Sequence, residues 1–317
     1  MRAVIVNVSC LARYRNHALA VLLILEFAPL LFAQFQSETR LVVLHASVTD
    51  KKGKRIRDLD KDAFTVYENG QAQQVTIFEH EDVPVSIGVV VDNSASMATK
   101  RRRVKAAALA MIRESNPQDE VFIVNFNDQA HIDVPFTNDL RRMEEGLARI
   151  DSRGGTAMCD AIEMSLNYLE KEAKKDKQVL IVITDGEDNS SKVSLESIVK
   201  HANRSEALIY SLGLFPDQDA YGTARARRAL KELSKATGAL AAYPGTVAEV
   251  QSLGIKIARD IRSQYTVGYT PTQEQLDGTY HRIRVRVDAP GKPVVRTRSG
   301  YYATPDMKLQ SKDWHVR

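Results

Sequence analysis

The chain has 317 residues, 44% hydrophobic and 26% charged, an ordinary globular balance with enough length for a real core. Its 44 Lys and Arg against 40 Asp and Glu leave a net charge of +4, too weak over this length to argue for nucleic acid, and no aromatic-and-basic RNA or DNA module stands out. Two cysteines, Cys10 and Cys159, exclude a small disulfide scaffold.

Arg2, Arg13 and Arg15 precede an apolar run over residues 18–32, followed by Ala33-Gln34. This is the layout of a secretory signal peptide over 1–33, cleaved after Ala33. The rival reading is an uncleaved membrane anchor. A span needs about 20 apolar residues and tolerates a central acid poorly, and here Glu26 interrupts the run. Either way the folded part is expected to be secreted, periplasmic or at the cell surface, with no membrane contact beyond the leader. Cys10 would leave with the signal. Cys159 then reads as a small buried apolar residue.

Residues 34–82 read as an N-terminal β segment. A strand at 41–49 is followed by runs at 64–68 and 71–78, which flank Asn69-Gly70, the best short hairpin signal available. The acidic stretch 58–64 lacks the loop Gly and final Glu of an EF-hand and reads as a solvated turn.

Over 83–245 strands and helices alternate, which predicts a doubly wound, mostly parallel sheet with crossover helices. The run 179–183 is apolar throughout and the run 85–91 is apolar but for Ser86, as expected of strands buried on both faces. Further strands are expected at 120–126, 131–136 (an antiparallel edge), 207–213 and 240–243. Helices are expected at 100–115, 139–150, 156–171, 194–204 and 223–237.

Residues 246–304 form a C-terminal segment: a helix over 247–261, then strands at 265–269, 281–287 and 294–298. The middle strand alternates basic and apolar residues, so one face is buried and one is wet. Three strands at each end are too few for separate cores. The two sets are therefore expected to close one β-sandwich-like unit with the α/β domain inserted between them. Residues 305–317 read as a loose polar tail.

The strand over 85–91 delivers Asp92-Asn93-Ser94-Ala95-Ser96 to its carboxyl end, the edge where open α/β sheets bind ligands. Arg153-Gly154-Gly155-Thr156 offers a tight loop with a hydroxyl, and Thr184-Asp185-Gly186 ends a second buried strand in a carboxylate. One carboxylate with two neutral oxygens suits a hard divalent cation. Ser94, Ser96 and Thr156 are equally good helix N-cap types, so the plain alternative is caps and turns.

The pattern Asp-x-Ser-x-Ser, then Thr, then Asp, on three loops, resembles the von Willebrand factor A (vWA) family and its metal-ion-dependent adhesion site (MIDAS). The resemblance covers roughly residues 84–243. The flanking β segments look like those of bacterial secreted vWA-related proteins, on the runs 62–70 and 298–302. It implies Mg²⁺, with Mn²⁺ or Ca²⁺ as alternatives, held directly by Ser94, Ser96 and Thr156, and by Asp92 and Asp185 directly or through water. An open metal position would accept an acidic side chain from a protein partner in an adhesion-type contact. Ala95 stands where the family most often has Gly. Asp160 is implied to brace the loop. Glu187 and Asp188 read as solvated loop, the alternative being carboxylates that thicken the negative field around the site. Lys100-Arg101-Arg102-Arg103 is either a solvated helix start or a patch steering an acidic partner.

Enzyme signatures are missing. No Gly-x-Ser-x-Gly elbow, phosphate loop or His-x-x-x-His pair occurs, and the residues two and four after Asp92 are hydroxyls rather than a second carboxylate. No catalytic role is expected. The alternatives are a metal-dependent hydrolase using the same cation, or a structural module with an empty site.

Overall fold

A computed structural model describes residues 41–148, 152–215, 220–246, 248–272 and 276–304. The leader at 1–33, Cys10 and the tail at 305–317 lie outside the described residues. So does the end of the helix expected to reach residue 150.

The described chain opens with β1 (Val42–Thr49), β2 (Phe64–Glu68), β3 (Gln71–Gln73) and β4 (Val75–Glu79). It then alternates: β5 (Val85–Asp92), α1 (Arg101–Arg113), β6 (Glu120–Phe126), β7 (Ala130–Thr137), α2 (Leu140–Gly146), α3 (Met158–Glu172) and β8 (Lys177–Thr184). Next come α4 (Leu195–Arg204), β9 (Leu208–Gly213), α5 (Ala220–Thr237), β10 (Ala241–Ala242) and α6 (Glu249–Arg262). Strands β11 (Tyr265–Tyr269), β12 (Tyr280–Val287), β13 (Val294–Arg296) and β14 (Gly300–Tyr302) follow.

Six strands form the central sheet in the order β10-β9-β8-β5-β6-β7, all parallel except the edge strand β7. Every residue of β5 is buried, as its largely apolar run requires, and the one hydroxyl in that run, Ser86, donates to Glu120 at 2.6 Å. Val104 and Met111 of α1, Met143 of α2 and Ile257 of α6 pack on one face of this sheet, against Val89 and Ile181. Ile162 and Leu166 of α3, Ile198 of α4 and Leu230 of α5 pack on the other, against Val90 and Leu180. The doubly wound fold is thus in place. Helix α6, grouped by sequence with the C-terminal strands, buries its apolar stripe against the central sheet. The chain runs from β5 outward to β6 on one side and to β8 on the other. That switch point opens a crevice at the carboxyl ends of β5 and β8.

The remaining strands form two antiparallel sheets, β13-β1-β11-β4 and β14-β12-β2-β3. They share a core that includes Leu44, Val66, Tyr265, Val285 and Tyr301. Each sheet mixes strands from both ends of the chain. Glu79 at the end of β4 lies opposite Thr266 in β11, so the chain leaves and re-enters the sandwich at adjacent points. Two expectations need correction. The run 71–78, read as one strand, breaks at Gln74 into β3 and β4, which join different sheets. Gln73 turns inward at that corner, where its amide pairs with Thr272. The C-terminal segment also supplies a fourth strand, β14, on the edge beside β12.

Candidate metal centre

Asp92 ends β5 and is 1% exposed. Its Oδ1 accepts the Ser94 N–H at 2.8 Å, and its Oδ2 accepts the Thr184 hydroxyl at 2.5 Å. Burial pushes the Asp92 carboxyl up. The hydrogen bonds from Thr184 and Ser94 oppose that rise, and the Asp185 charge adds to it. A cation beside Asp92 would relieve the same desolvation.

Ser94 stands at the N-cap of a 3₁₀ turn, Ala95–Thr99, yet its side chain makes no capping bond. Its Oγ lies 3.0 Å from Ser96 Oγ instead, and Ser96 Oγ donates to Asp185 Oδ1 at 2.7 Å. Capping therefore does not account for the Ser94 hydroxyl. It does not account for Thr156 either. Helix α3 begins at Met158, its N-cap residue Ala157 gives no side-chain bond, and the Cys159 N–H goes to Asp188 Oδ2 at 2.7 Å. Ala95 has no positive φ, so its Cβ fits where the family most often has Gly.

The Thr156 loop is suspended from its neighbours. The Ala95 N–H donates to Gly154 O at 3.3 Å, the Arg153 N–H to Asn93 O at 3.2 Å, and the Ala157 N–H to Asn127 O at 2.6 Å. Asp128 Oδ1 accepts the Gly155 N–H at 2.7 Å, and Asn189 Oδ1 accepts the Thr156 N–H at 2.9 Å. Gly154 adopts φ +73°, and a Cβ there would lie 1.9 Å from Asp128 Oδ2. Only glycine suits both constraints. The Thr156 hydroxyl faces the turn after Asp185: a Cβ on Gly186 would sit 3.4 Å from it.

All five predicted residues thus gather at the crevice from three loops. Asp92, Ser94, Thr156 and Asp185 are buried, and Ser96 is exposed at the mouth. Octahedral Mg²⁺ with oxygens at 2.0–2.1 Å places neighbouring ligands about 2.9 Å apart. The Ser94–Ser96 and Ser96–Asp185 separations of 3.0 and 2.7 Å match that edge length. Those are also ordinary O–H···O hydrogen-bond lengths, so what fits a small hard cation is the donor chemistry, hydroxyl and carboxylate oxygens alone. The donor set is rich in hydroxyls. Among the described residues no group of three or more His, Cys, Asp and Glu side chains gathers to hold a metal.

Lys100 is the residue that sequence reasoning placed wrongly. It is neither a solvated helix start nor a free steering charge. Its ammonium pairs with Asp185 Oδ2, and the Asp185 side chain is wholly buried. The predicted metal ligand thus already carries a tethered cation. Asp188 was also misread as solvated loop: it takes the Cys159 N–H, the Ser191 N–H and the Ser191 hydroxyl. Glu187 pairs with Arg225 at 2.9 Å. Asp160 braces the following loop, accepting the N–H groups of Lys192 and Val193 at 3.0 and 2.9 Å. Cys159 is buried, and burial with the Asp188 charge beside it pushes its thiol far up, so it is not a reactive thiolate.

The von Willebrand factor type A domain profile matches residues 87–187, a span that contains β5, all three loops and β8. Residues 87–187 of the chain thus match a von Willebrand factor type A domain, the family that the three-loop pattern resembles. It is 29% identical over 175 residues to calcium-activated chloride channel regulator 1 of Macaca mulatta. That match covers 53% of this chain but only 18% of the relative's length. Among solved structures, a von Willebrand factor type A protein from Catenulispora acidiphila superposes with a TM-score of 0.50 at 12% identity, covering 87% of this chain and 77% of that one. Proximal thread matrix protein 1 from the mussel byssus, solved with a zinc-occupied MIDAS motif, gives a TM-score of 0.50 at 13% identity, covering 62% of this chain and 50% of that one. At those identities the structural likeness concerns the fold. Among the described residues no helix is long and apolar enough to cross a membrane.

Proposed function

We propose that this protein is a non-enzymatic, secreted or surface-exposed binding module. It holds a divalent cation through Asp92, Ser94, Ser96, Thr156 and Asp185 and presents that cation to a carboxylate of a partner protein. The observation that carries the reading is the convergence of Ser94 Oγ, Ser96 Oγ and Asp185 Oδ1 from two loops into one hydrogen-bonded run, with the Ser94 hydroxyl freed from capping. Ser94, Ser96 and Thr156 are neutral ligands, so with Asp92 and Asp185 acting through water a bound cation keeps its positive charge and remains attractive to an outside acid. The zinc reported in the MIDAS motif of the byssus protein supports a divalent cation as the ligand class. Mg²⁺ is the cation we assign, because every donor is a hard oxygen. When bound, it would supply Lewis acidity. The chain's own residues supply orientation: Thr184 and the Ser94 N–H fix Asp92, and Asn189 and Asp128 fix the Thr156 loop.

Titration calorimetry with Mg²⁺ and Mn²⁺, using Asp92→Ala as control, tests the site. Binding that disappears in the variant supports it; equal heats in both proteins would remove it. Capture of a partner that chelator abolishes would support the adhesive role, and chelator-insensitive capture would contradict it.

A further inference from the structure

The sheet β14-β12-β2-β3 turns one face into the sandwich core and the other to solvent. On its outer face β12 carries Arg282, Arg284 and Arg286, all exposed, alternating with buried Ile283, Val285 and Val287. Alternate residues of a strand stand roughly 6.7 Å apart, so the three guanidinium groups form a straight positive stripe. No ion pair among the described residues engages any of the three. Edge protection does not explain Arg282, where β12 pairs with β14 on one side and the Asn69 N–H bonds the Arg282 carbonyl on the other. The first two arginines line an open groove of ≈ 720 Å³ with Tyr67, Tyr280 and the Asn69-Gly70 hairpin turn. Tyr67 lies directly across from Arg284, and Tyr280 is 38% exposed at the other end of the stripe.

The geometry points to this groove as a binding site for an acidic polysaccharide, a chain of uronic-acid sugars laid along β12. Each guanidinium fork takes a carboxylate in two parallel hydrogen bonds. Each tyrosine offers a flat face to the C–H side of a pyranose ring and a hydroxyl to its polar rim. The arrangement fits other polyanions less well. Tyr67 and Tyr280 are offset by four strand positions, roughly 13 Å, which is too far to stack consecutive bases of a single-stranded nucleic acid. The groove opens on the sheet's face, where the Tyr280–Arg282 backbone is already paired with β14 and Tyr67 and Tyr280 are its aromatic lining. An acidic peptide would therefore find no main-chain pairing along that stretch. This site is separate from the carboxyl-edge crevice and does not depend on a cation there.

The test is surface plasmon resonance of the full-length protein in chelator, so that the crevice contributes no metal. The probes are polygalacturonate, neutral dextran, a single-stranded oligodeoxynucleotide and a polyglutamate peptide. We expect polygalacturonate to bind best and dextran not to bind. Arg282→Gln with Arg284→Gln should lower polygalacturonate affinity at least tenfold, and Tyr67→Ala severalfold. Lys51→Gln with Lys52→Gln, an equal charge change on an exposed turn, should leave it unchanged. Near-UV circular dichroism identical to the parent's establishes that the variants are folded. Tighter binding of the oligonucleotide or the peptide overturns the proposal. So does an equal loss in the Lys51/Lys52 variant, or no loss in the arginine variant.

Discussion

Replacing Lys100 by Met should produce two opposite effects from one ion pair. In the metal-free protein the Lys100 ammonium neutralises Asp185, whose side chain is wholly buried, while Lys100 itself is 23% exposed. A hydrogen bond between charged partners in such a half-buried setting contributes about 1.5–3 kcal/mol. Lys100→Met leaves Asp185 buried without its cation, so the metal-free protein should lose that amount of stability. A divalent cation binding to Asp185 displaces the same ammonium. Without Lys100 that displacement is not needed, and affinity should rise by the same 1.5–3 kcal/mol, roughly 10- to 100-fold. Both changes measure one interaction, so they should agree in size and differ in sign. Urea unfolding in chelator reads the first, and Mn²⁺ calorimetry reads the second. In saturating Mn²⁺ the stability deficit should shrink or vanish. Unchanged or weaker Mn²⁺ binding in Lys100→Met would refute the reasoning.

Thr184→Val removes the hydroxyl that holds Asp92 Oδ2 at 2.5 Å; calorimetry should show cation affinity about tenfold weaker, with about 1 kcal/mol lost in urea unfolding. Gly154→Ala forces a Cβ to within 1.9 Å of Asp128 Oδ2 at a residue with φ +73°, so it should displace the Thr156 loop and reduce cation binding, with a smaller effect on the midpoint of unfolding. His201 of α4 lies between Glu170 at 3.0 Å and Glu163 at 2.8 Å, and their hydrogen bonds raise its pKa to about 9 against the opposing cost of burial. A raised folded-state pKa stabilises fully below the usual value of about 6.5 and ceases to do so as pH climbs through 9. His201→Gln should therefore cost about 1–2 kcal/mol at pH 6, after allowance for the solvent exposure of both glutamates, and little at pH 9.5. A cost that stays constant between those pH values would contradict this assignment.

The strands that deliver the site were legible because a fully buried parallel strand is dominated by apolar residues. Val85 to Val91 and Val179 to Ile183 could hardly be anything else, and each hands a carboxylate to the same edge. The hairpin at Asn69-Gly70 was legible through turn chemistry: Asn69 takes φ +49° and Gly70 φ +88°. The pairing of early with late strands followed from how few strands each end could offer. Local pattern could not show which way a long side chain turns. Lys100 opens a basic run that looks like solvated surface, yet it reaches Asp185, 85 residues further along the chain. Asp188 looked like loop for the same reason, because the Cys159 N–H it accepts lies 29 residues earlier. The break at Gln74 was hidden because the residues on both sides keep a strand's alternation while the chain changes sheets.

Crystals soaked in Mn²⁺ and measured for anomalous scattering test the central claim most directly. A peak bonded to Ser94 Oγ and Ser96 Oγ, with Thr156 and Asp185 around it and the Lys100 ammonium withdrawn from Asp185, is the expected result. A map without that peak, with Lys100 still seated on Asp185 at saturating Mn²⁺, would contradict it.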